Sequence, residues 1–234
     1  MLFWVIVIAD YLVGEWLLDA RGFLAGVPPV LLDGAALPLP AQFLLGFIAS
    51  DLLDYLLHLA GHRYDWLWRL HSVHHSDPFL DATTAGRTHP LETSIGVVAK
   101  IGLYWLLGLP LWIEGVRAVL HNPIAMIQHA NVNFPGWLER LRPVLVTPAM
   151  HRLHHAEERA YHDRNLGVIF SFWDHLFGTA VAAGTAASGR VGLAGYFDER
   201  WQTVAGMLAT PVRTLPRSES KRRRELPDQP LTRS

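Results

Sequence analysis

Histidines at regular spacing are the residues of this chain most able to do chemistry. One stretch, from His58 to His75, contains HLAGH and HSVHH, and a second, HRLHH, runs from His151 to His155. HSVHH and HRLHH share the pattern H-x-x-H-H. Residues three and four apart lie on one face of an α-helix, so this spacing gathers imidazole rings on one side. Because imidazole binds iron, zinc, copper and nickel, the pattern predicts metal binding.

The number of these rings indicates more than one ion. The three motifs contribute His58, His62, His71, His74, His75, His151, His154 and His155. Eight imidazoles exceed the ligands that one ion of ordinary coordination number takes. We therefore predict two ions held between helices, as in the dimetal sites of helical bundles. The alternatives are a zinc site or histidines placed at the surface by chance.

Composition narrows the class of protein that carries these motifs. Of 234 residues, 50% are hydrophobic and only 18% are charged, and the mean hydropathy is +0.18. These values favour a membrane protein. With a net charge of -1, the chain has no surplus of basic residues that would favour nucleic-acid binding. Since the chain has no cysteine, iron–sulfur clusters and thiolate zinc sites are excluded.

The chain has four apolar runs, at residues 2–18, 42–60, 93–109 and 111–129. These runs must position the histidines. They predict an all-α integral membrane bundle of about four membrane helices, although the first run is near the lower length limit for crossing a bilayer. Asp51, Asp54 and His58 share one face of the second run. Either carboxylate is expected to orient a ligand imidazole or to bind an arginine.

At its motifs the chain resembles the sterol desaturase/fatty acid hydroxylase superfamily, which comprises membrane-bound histidine-box non-haem diiron oxygenases. The resemblance covers about residues 51–179. The matching segments are HLAGH (58–62), HSVHH (71–75), RTHPLE (87–92), HAN (129–131), HRLHH (151–155), NLG (165–167) and FWDHLFGT (172–179).

The resemblance implies a site and an activity. It implies two iron ions and adds His129 as a ligand and His89 as a ligand or the partner of one. His175 is at a variable position and is not counted, and His162 is expected at the surface or near the metals. The implied function is an O2-dependent diiron oxidoreductase that hydroxylates or desaturates a lipid, such as a fatty acyl chain or a sterol. Electrons would come from a separate reductase through ferredoxin or cytochrome b5.

Two other functions stay open at this point. A membrane protein could bind or transport metal without redox catalysis, since intramembrane histidine and aspartate often line ion paths. A zinc hydrolase would need a general-base carboxylate such as the one in H-E-x-x-H, and that motif is absent.

The predicted organisation has three parts. Residues 1–179 form the membrane-embedded domain, 180–212 a linker with one possible short helix, and 213–234 a disordered basic tail. Arginine is frequent in the loops near the histidines, and the tail contains KRRR at residues 221–224. The positive-inside rule therefore places the active site, carried by a helical cap, on the cytoplasmic side.

Overall fold

Helices make up the regular structure of the protein. The computed structural model describes residues 31–185 and 190–213, and within these ranges there are two isolated β-bridges and no strand. The helices, numbered along the described residues, are α1 (Leu39–Arg63), α2 (Asp65–His75), α3 (Pro90–Leu106), α4 (Trp112–His129), α5 (Gly136–Glu139), α6 (Pro148–His154), α7 (Phe172–Phe177), α8 (Glu199–Gln202) and α9 (Val204–Ala209). The all-α prediction is confirmed for this part of the chain. The predicted first membrane helix and the basic tail beyond Arg213 lie outside it.

Three long helices, α1, α3 and α4, form the body of the fold, and α1 packs against both of the others. Of the described helices, α1 alone is long and apolar enough to cross a membrane by length and composition, and 22% of its apolar window is buried. A core helix of a soluble protein would be mostly buried. Membrane crossing by α3 and α4 stays a prediction.

Prolines set the starts of two helices that carry or adjoin histidines. Pro90 opens α3 and Pro148 opens α6, where a missing N–H costs nothing because the first turn has no intrahelical acceptor. The side chain of Thr147 accepts a hydrogen bond from Met150 N at 3.4 Å and caps α6. The HRLHH motif therefore begins one turn inside a defined helix.

A buried ionic network joins the three long helices. Arg117 of α4 contacts Asp54 of α1 and Glu114 of its own helix, each at 2.8 Å. Lys100 of α3 lies 3.0 Å from Asp54 and 3.3 Å from Glu114. Two carboxylates and two cations thus compensate one another where the helices meet. Ser50 also donates to Glu114 at 2.8 Å.

The segment after residue 190 packs on α2. Trp68 of α2 forms a buried apolar cluster with Leu193, Tyr196 and Trp201. This part of the region predicted as a linker contains two short helices, α8 and α9, where the sequence indicated one. Its aromatic side chains account for the difference, because they bury apolar surface against the histidine-bearing helix.

Candidate metal centre

Five histidines from three helices converge into a first group, which we call site A. Their ring nitrogens, one from each residue, all lie within 4.8 Å of one another. The members are His58, His62, His71, His75 and His154. His58 and His62 are four residues apart on α1, as are His71 and His75 on α2, so each helix presents two rings from one face.

Four histidines form a second group, site B, on the same distance criterion. The members are His74, His129, His151 and His155. His151 and His155 are again four residues apart: His151 lies in α6, and His155 is the C-cap residue of that helix. His74 comes from α2 and His129 from the last residue of α4. All four residues are buried.

The two H-x-x-H-H motifs divide their rings between the sites in the same way. In HSVHH the outer pair, His71 and His75, belongs to site A and the middle His74 to site B. In HRLHH the outer pair belongs to site B and the middle His154 to site A. On a helix the fourth position of the pattern, which is the middle histidine, is rotated away from the outer pair, so its ring reaches a different point. Each motif therefore serves both sites.

Ring nitrogens approach one another closely within each site. His58 Nε2 and His154 Nε2 are 3.1 Å apart in site A. In site B, His129 Nε2 lies 3.1 Å from His74 Nε2 and 2.8 Å from His151 Nε2. Two nitrogens bound at right angles to one ion, with metal–nitrogen bonds of about 2.1 Å, would lie about 3.0 Å apart. The observed separations therefore match those of ligands that share an ion.

The close contact in site A cannot be a hydrogen bond between neutral rings. Nδ1 of His58 donates to Leu166 O and Nδ1 of His154 to Arg164 O, both at 2.8 Å. A carbonyl only accepts, so each ring carries its proton on Nδ1 and a lone pair on Nε2. Two lone pairs face each other at 3.1 Å, an arrangement that a cation between them would stabilise.

Burial keeps these rings neutral. It lowers the pKa of five histidines well below the usual value, and neighbouring imidazoles add to the effect because a second positive charge would lie close by. The five are His74, His75, His151, His154 and His155. A neutral imidazole is the form that binds metal. Within the described part of the chain, the buried Nε2 atoms of His71 and His75 have no hydrogen-bond partner, as expected of ligand atoms. The residues present therefore fit a pair of metal ions.

The NLG and WDHLFGT segments position the carbonyls that set these tautomers. Asp174 accepts hydrogen bonds from Leu166 N at 2.7 Å, Gly167 N at 2.9 Å and Thr179 Oγ1 at 2.6 Å. A Cβ on Gly167 would lie 2.8 Å from Asp174 Oδ2, so only glycine fits this close approach. Asn165 adopts a left-handed conformation with φ 52°. The two motifs thus hold the loop against which His58 and His154 are oriented.

The two aspartates of α1 do not orient a ligand imidazole. Asp51 accepts from Ile169 N at 3.0 Å and from Trp173 Nε1 at 2.9 Å, which ties α1 to α7. Asp54 binds Arg117 and Lys100. Of the two roles predicted for these carboxylates, the structure gives Asp54 the arginine-binding role. It gives Asp51 a role in fold assembly that its position in the sequence did not indicate.

His89 is placed apart from both sites. Its Nδ1 accepts from Leu91 N at 3.2 Å and caps α3, and its Nε2 lies 3.3 Å from Leu208 O. Both ring nitrogens therefore contact the backbone, so His89 is not a member of either group. The acidic residue of the same RTHPLE motif, Glu92, contacts His71 Nδ1 at 2.6 Å. The sequence alone assigned no role to this residue.

Two of the remaining histidines, His162 and His175, differ in burial. His162 is buried, with 5% of its surface exposed, and its Nε2 donates to Ala156 O at 2.8 Å. Its ring centroid lies 6.1 Å from that of His75, so it is near site A rather than at the surface. His175 is exposed. Among the described residues, neither belongs to a candidate metal group.

Known proteins share the part of the chain that builds these sites. The profile of the fatty acid hydroxylase family matches residues 43–179, more than half of the chain. Alkylglycerol monooxygenase of Caenorhabditis elegans is 27% identical over 141 residues, 60% of this chain and 27% of that protein. A cholesterol 25-hydroxylase-like protein of Danio rerio is 30% identical over 133 residues, 55% of this chain and 51% of the relative.

A plant relative extends the same comparison. A very-long-chain aldehyde decarbonylase of Oryza sativa subsp. japonica is 28% identical over 174 residues, covering 67% of this chain and 54% of the relative. The chain thus spans from about a quarter to about half of the curated relatives described here. No solved structure matches it. The profile match and the histidine motifs agree, and the chain belongs to the fatty acid hydroxylase family of the sterol desaturase/fatty acid hydroxylase superfamily.

Proposed function

We propose that this protein is an O2-dependent diiron oxidoreductase that hydroxylates or desaturates a lipid. The observation that carries the proposal is the pair of all-histidine sites whose ring nitrogens converge, with the lone pairs of His58 and His154 facing each other in site A. Nine histidines would hold two iron ions, five in site A and four in site B. Iron bound there would supply the redox chemistry that activation of O2 requires.

The protein's own groups would prepare the sites before any substrate arrives. Backbone carbonyls of Leu166, Arg164 and Ala125 hold the protons of three rings on Nδ1, which leaves Nε2 free to bind. Burial keeps water from most of the ligands. A dry, preorganised site protects a strong oxidant from side reactions, which is the contribution a protein makes to such chemistry.

The overall reaction requires an external electron donor. Hydroxylation of a C–H bond reduces one O2 with two electrons from the substrate and two from the donor; with two protons it yields an alcohol and one water. Desaturation instead removes two hydrogens from adjacent carbons and yields two waters. We propose that a separate reductase supplies the electrons through ferredoxin or cytochrome b5.

Apolar side chains on the long helices support a lipid substrate and a membrane location. Leu44 of α1, Val98 of α3 and Val119 of α4 are each more than 60% exposed. Exposed apolar residues on three neighbouring helices are typical of surfaces that face lipid. The named relatives include enzymes of ether lipids, sterols and long-chain aldehydes. We propose a fatty acyl chain, a sterol or a related lipid, and an active site that faces the cytoplasm.

Metal analysis combined with an oxygen assay tests the proposal. The full chain, purified in detergent and reconstituted in nanodiscs, should contain about two iron ions after loading under reducing conditions. With a reductase and a donor protein present, O2 uptake should depend on added lipid, drawn from a panel of alkylglycerols, sterols and fatty acyl chains. Mass spectrometry should find a product that has either one more oxygen atom or two fewer hydrogen atoms than the substrate.

The same measurements separate the proposal from its alternatives. Tight binding of zinc with lipid hydrolysis and no O2 uptake would indicate a hydrolase. Metal flux across vesicles with no change in any lipid would indicate a transporter. Either result would overturn the oxidoreductase assignment while leaving the two metal sites in place.

A further inference from the structure

Glu92 touches a metal-site histidine from outside the histidine motifs. Its Oε1 lies 2.6 Å from Nδ1 of His71, which is shorter than the contacts that orient His58 and His154. A carboxylate oxygen accepts hydrogen bonds, so this contact pairs it with an Nδ1–H donor of the ring. The buried Nε2 of His71 is then left with its lone pair directed into site A.

The start of α3 positions Glu92. It lies in the first turn of this 17-residue helix. Its side chain is 29% exposed. Pro90 and the cap provided by His89 fix where this turn begins.

The histidines with known acceptors differ in what receives their Nδ1–H. His58, His154 and His129 donate to backbone carbonyls at 2.7 to 2.8 Å. His71 donates to a carboxylate, and the carboxylate of Asp163 lies 3.6 Å from Nδ1 of His62, beyond hydrogen-bond distance. A carboxylate raises the basicity of an imidazole ligand more than a neutral carbonyl does, because it stabilises positive charge on the ring.

We propose that Glu92 is a positioning residue for site A: it fixes the tautomer and orientation of His71 and strengthens metal binding there, but not at site B. This inference rests on the proposed metal centre and adds a residue that lies outside its ligand set. It also makes the two sites unequal, since His71 belongs to site A.

Metal release from a site-specific variant tests the proposal. Glu92→Gln keeps the shape of the side chain and removes its charge. The wild-type and variant proteins are loaded with Co(II), and release to a chromophoric chelator is followed in time together with the visible absorption of the bound cobalt. Glu139→Gln is the matched control, because Glu139 contacts Thr147 rather than a histidine. We expect one of two release phases to become about 10–100-fold faster in Glu92→Gln and neither to change in the control.

Variants that lack a ligand of one site show which metal-release phase belongs to which site. In His151→Ala, which removes a ligand of site B, the slow phase that remains belongs to site A. Adding Glu92→Gln should accelerate that phase, whereas in a His154→Ala background the remaining phase should be unaffected. As a further check, Glu92→Ala should release metal rapidly from site A, and added formate should slow the release by restoring a carboxylate in the vacated space.

The outcomes separate a positioning role from a structural one. If Glu92 only held α3 against α2, the melting temperature of the metal-free variant would fall and both phases would change together. That result, or unchanged release of two tightly held ions, would overturn the proposal while leaving the metal centre intact. Failure of the wild-type protein to bind cobalt at all would instead refute the metal centre on which the proposal rests.

Discussion

Two buried polar clusters in this protein are built on opposite principles. The ionic network between α1, α3 and α4 combines Asp54, Lys100, Glu114 and Arg117, and the charges of opposite sign meet at 2.8 to 3.3 Å. The candidate metal centre combines nine copies of one side chain, and in site A the lone pairs of His58 and His154 face each other. Both clusters are enclosed by the fold, but only the first supplies its own counter-charge.

This difference separates polar groups that stabilise the fold from polar groups that are suited to binding a ligand. A buried network of paired ions needs nothing from outside, although removing one member leaves an uncompensated charge. The converging imidazoles bring no counter-charge of their own, and the facing lone pairs of His58 and His154 are an arrangement that a cation would stabilise. Asp54 is one helical turn before His58 on α1, yet it serves the network rather than the metal centre. Sequence proximity alone does not assign a carboxylate to a metal site.

The largest expected effect comes from removing a ligand. His151→Ala should eliminate turnover and empty site B, since His151 Nε2 contacts both His129 and His155. We expect a loss greater than the roughly 10–100-fold typical of an outer partner. The checks are metal content by mass spectrometry and turnover of whichever lipid the wild-type enzyme oxidises. Full activity with one ion missing would contradict the assignment of site B.

Breaking the ionic network should instead cost stability. Arg117→Leu leaves Asp54 and Glu114 buried with less compensation, so we expect the free energy of unfolding to fall by about 3–5 kcal/mol. Thermal melting in detergent measures the loss. The fraction that stays folded should still bind the same number of ions as the wild-type protein. A variant with unchanged melting but lost metal would show that the network belongs to the metal centre.

Acid should destabilise the metal-free protein through the histidines. Burial lowers the pKa of His74, His75, His151, His154 and His155 in the folded state. The unfolded chain, with pKa values near 6.5, therefore binds more protons as the pH falls. Stability should be constant above about pH 7.5 and decline as the pH falls through 6.5. The test is to remove metal with a chelator and to measure the melting temperature as the pH falls from 7.5 through 6.5. A rise in stability on acidification would contradict the prediction.

The smallest effect is expected at a histidine outside both clusters. His175 is exposed, and among the described residues it belongs to neither metal group. His175→Arg should change metal content, melting temperature and turnover by little, since surface substitutions usually alter stability by less than about 0.5 kcal/mol. Parallel assays with His151→Ala provide the contrast. Loss of metal from His175→Arg would mean that the centre extends further along α7 than the structure indicates.

The sequence alone predicted which histidines share a helical face. Histidines four residues apart share a helical face whatever the tertiary fold, so the pairs His58/His62, His71/His75 and His151/His155 were predictable from spacing. Too many rings for one ion predicted two sites. The helical character of the apolar runs within the described residues is likewise confirmed.

Only the tertiary structure decided how those rings are shared and what orients them. His58 and His154 are 96 residues apart, and no local rule predicts that they meet. The crossing of the middle histidine of each motif to the other site depends on how α2 and α6 face each other. For the same reason a carboxylate at the start of α3, and neither aspartate on α1, reaches a ligand imidazole. Spacing along a helix determines which side chains share a face, but packing determines what that face meets.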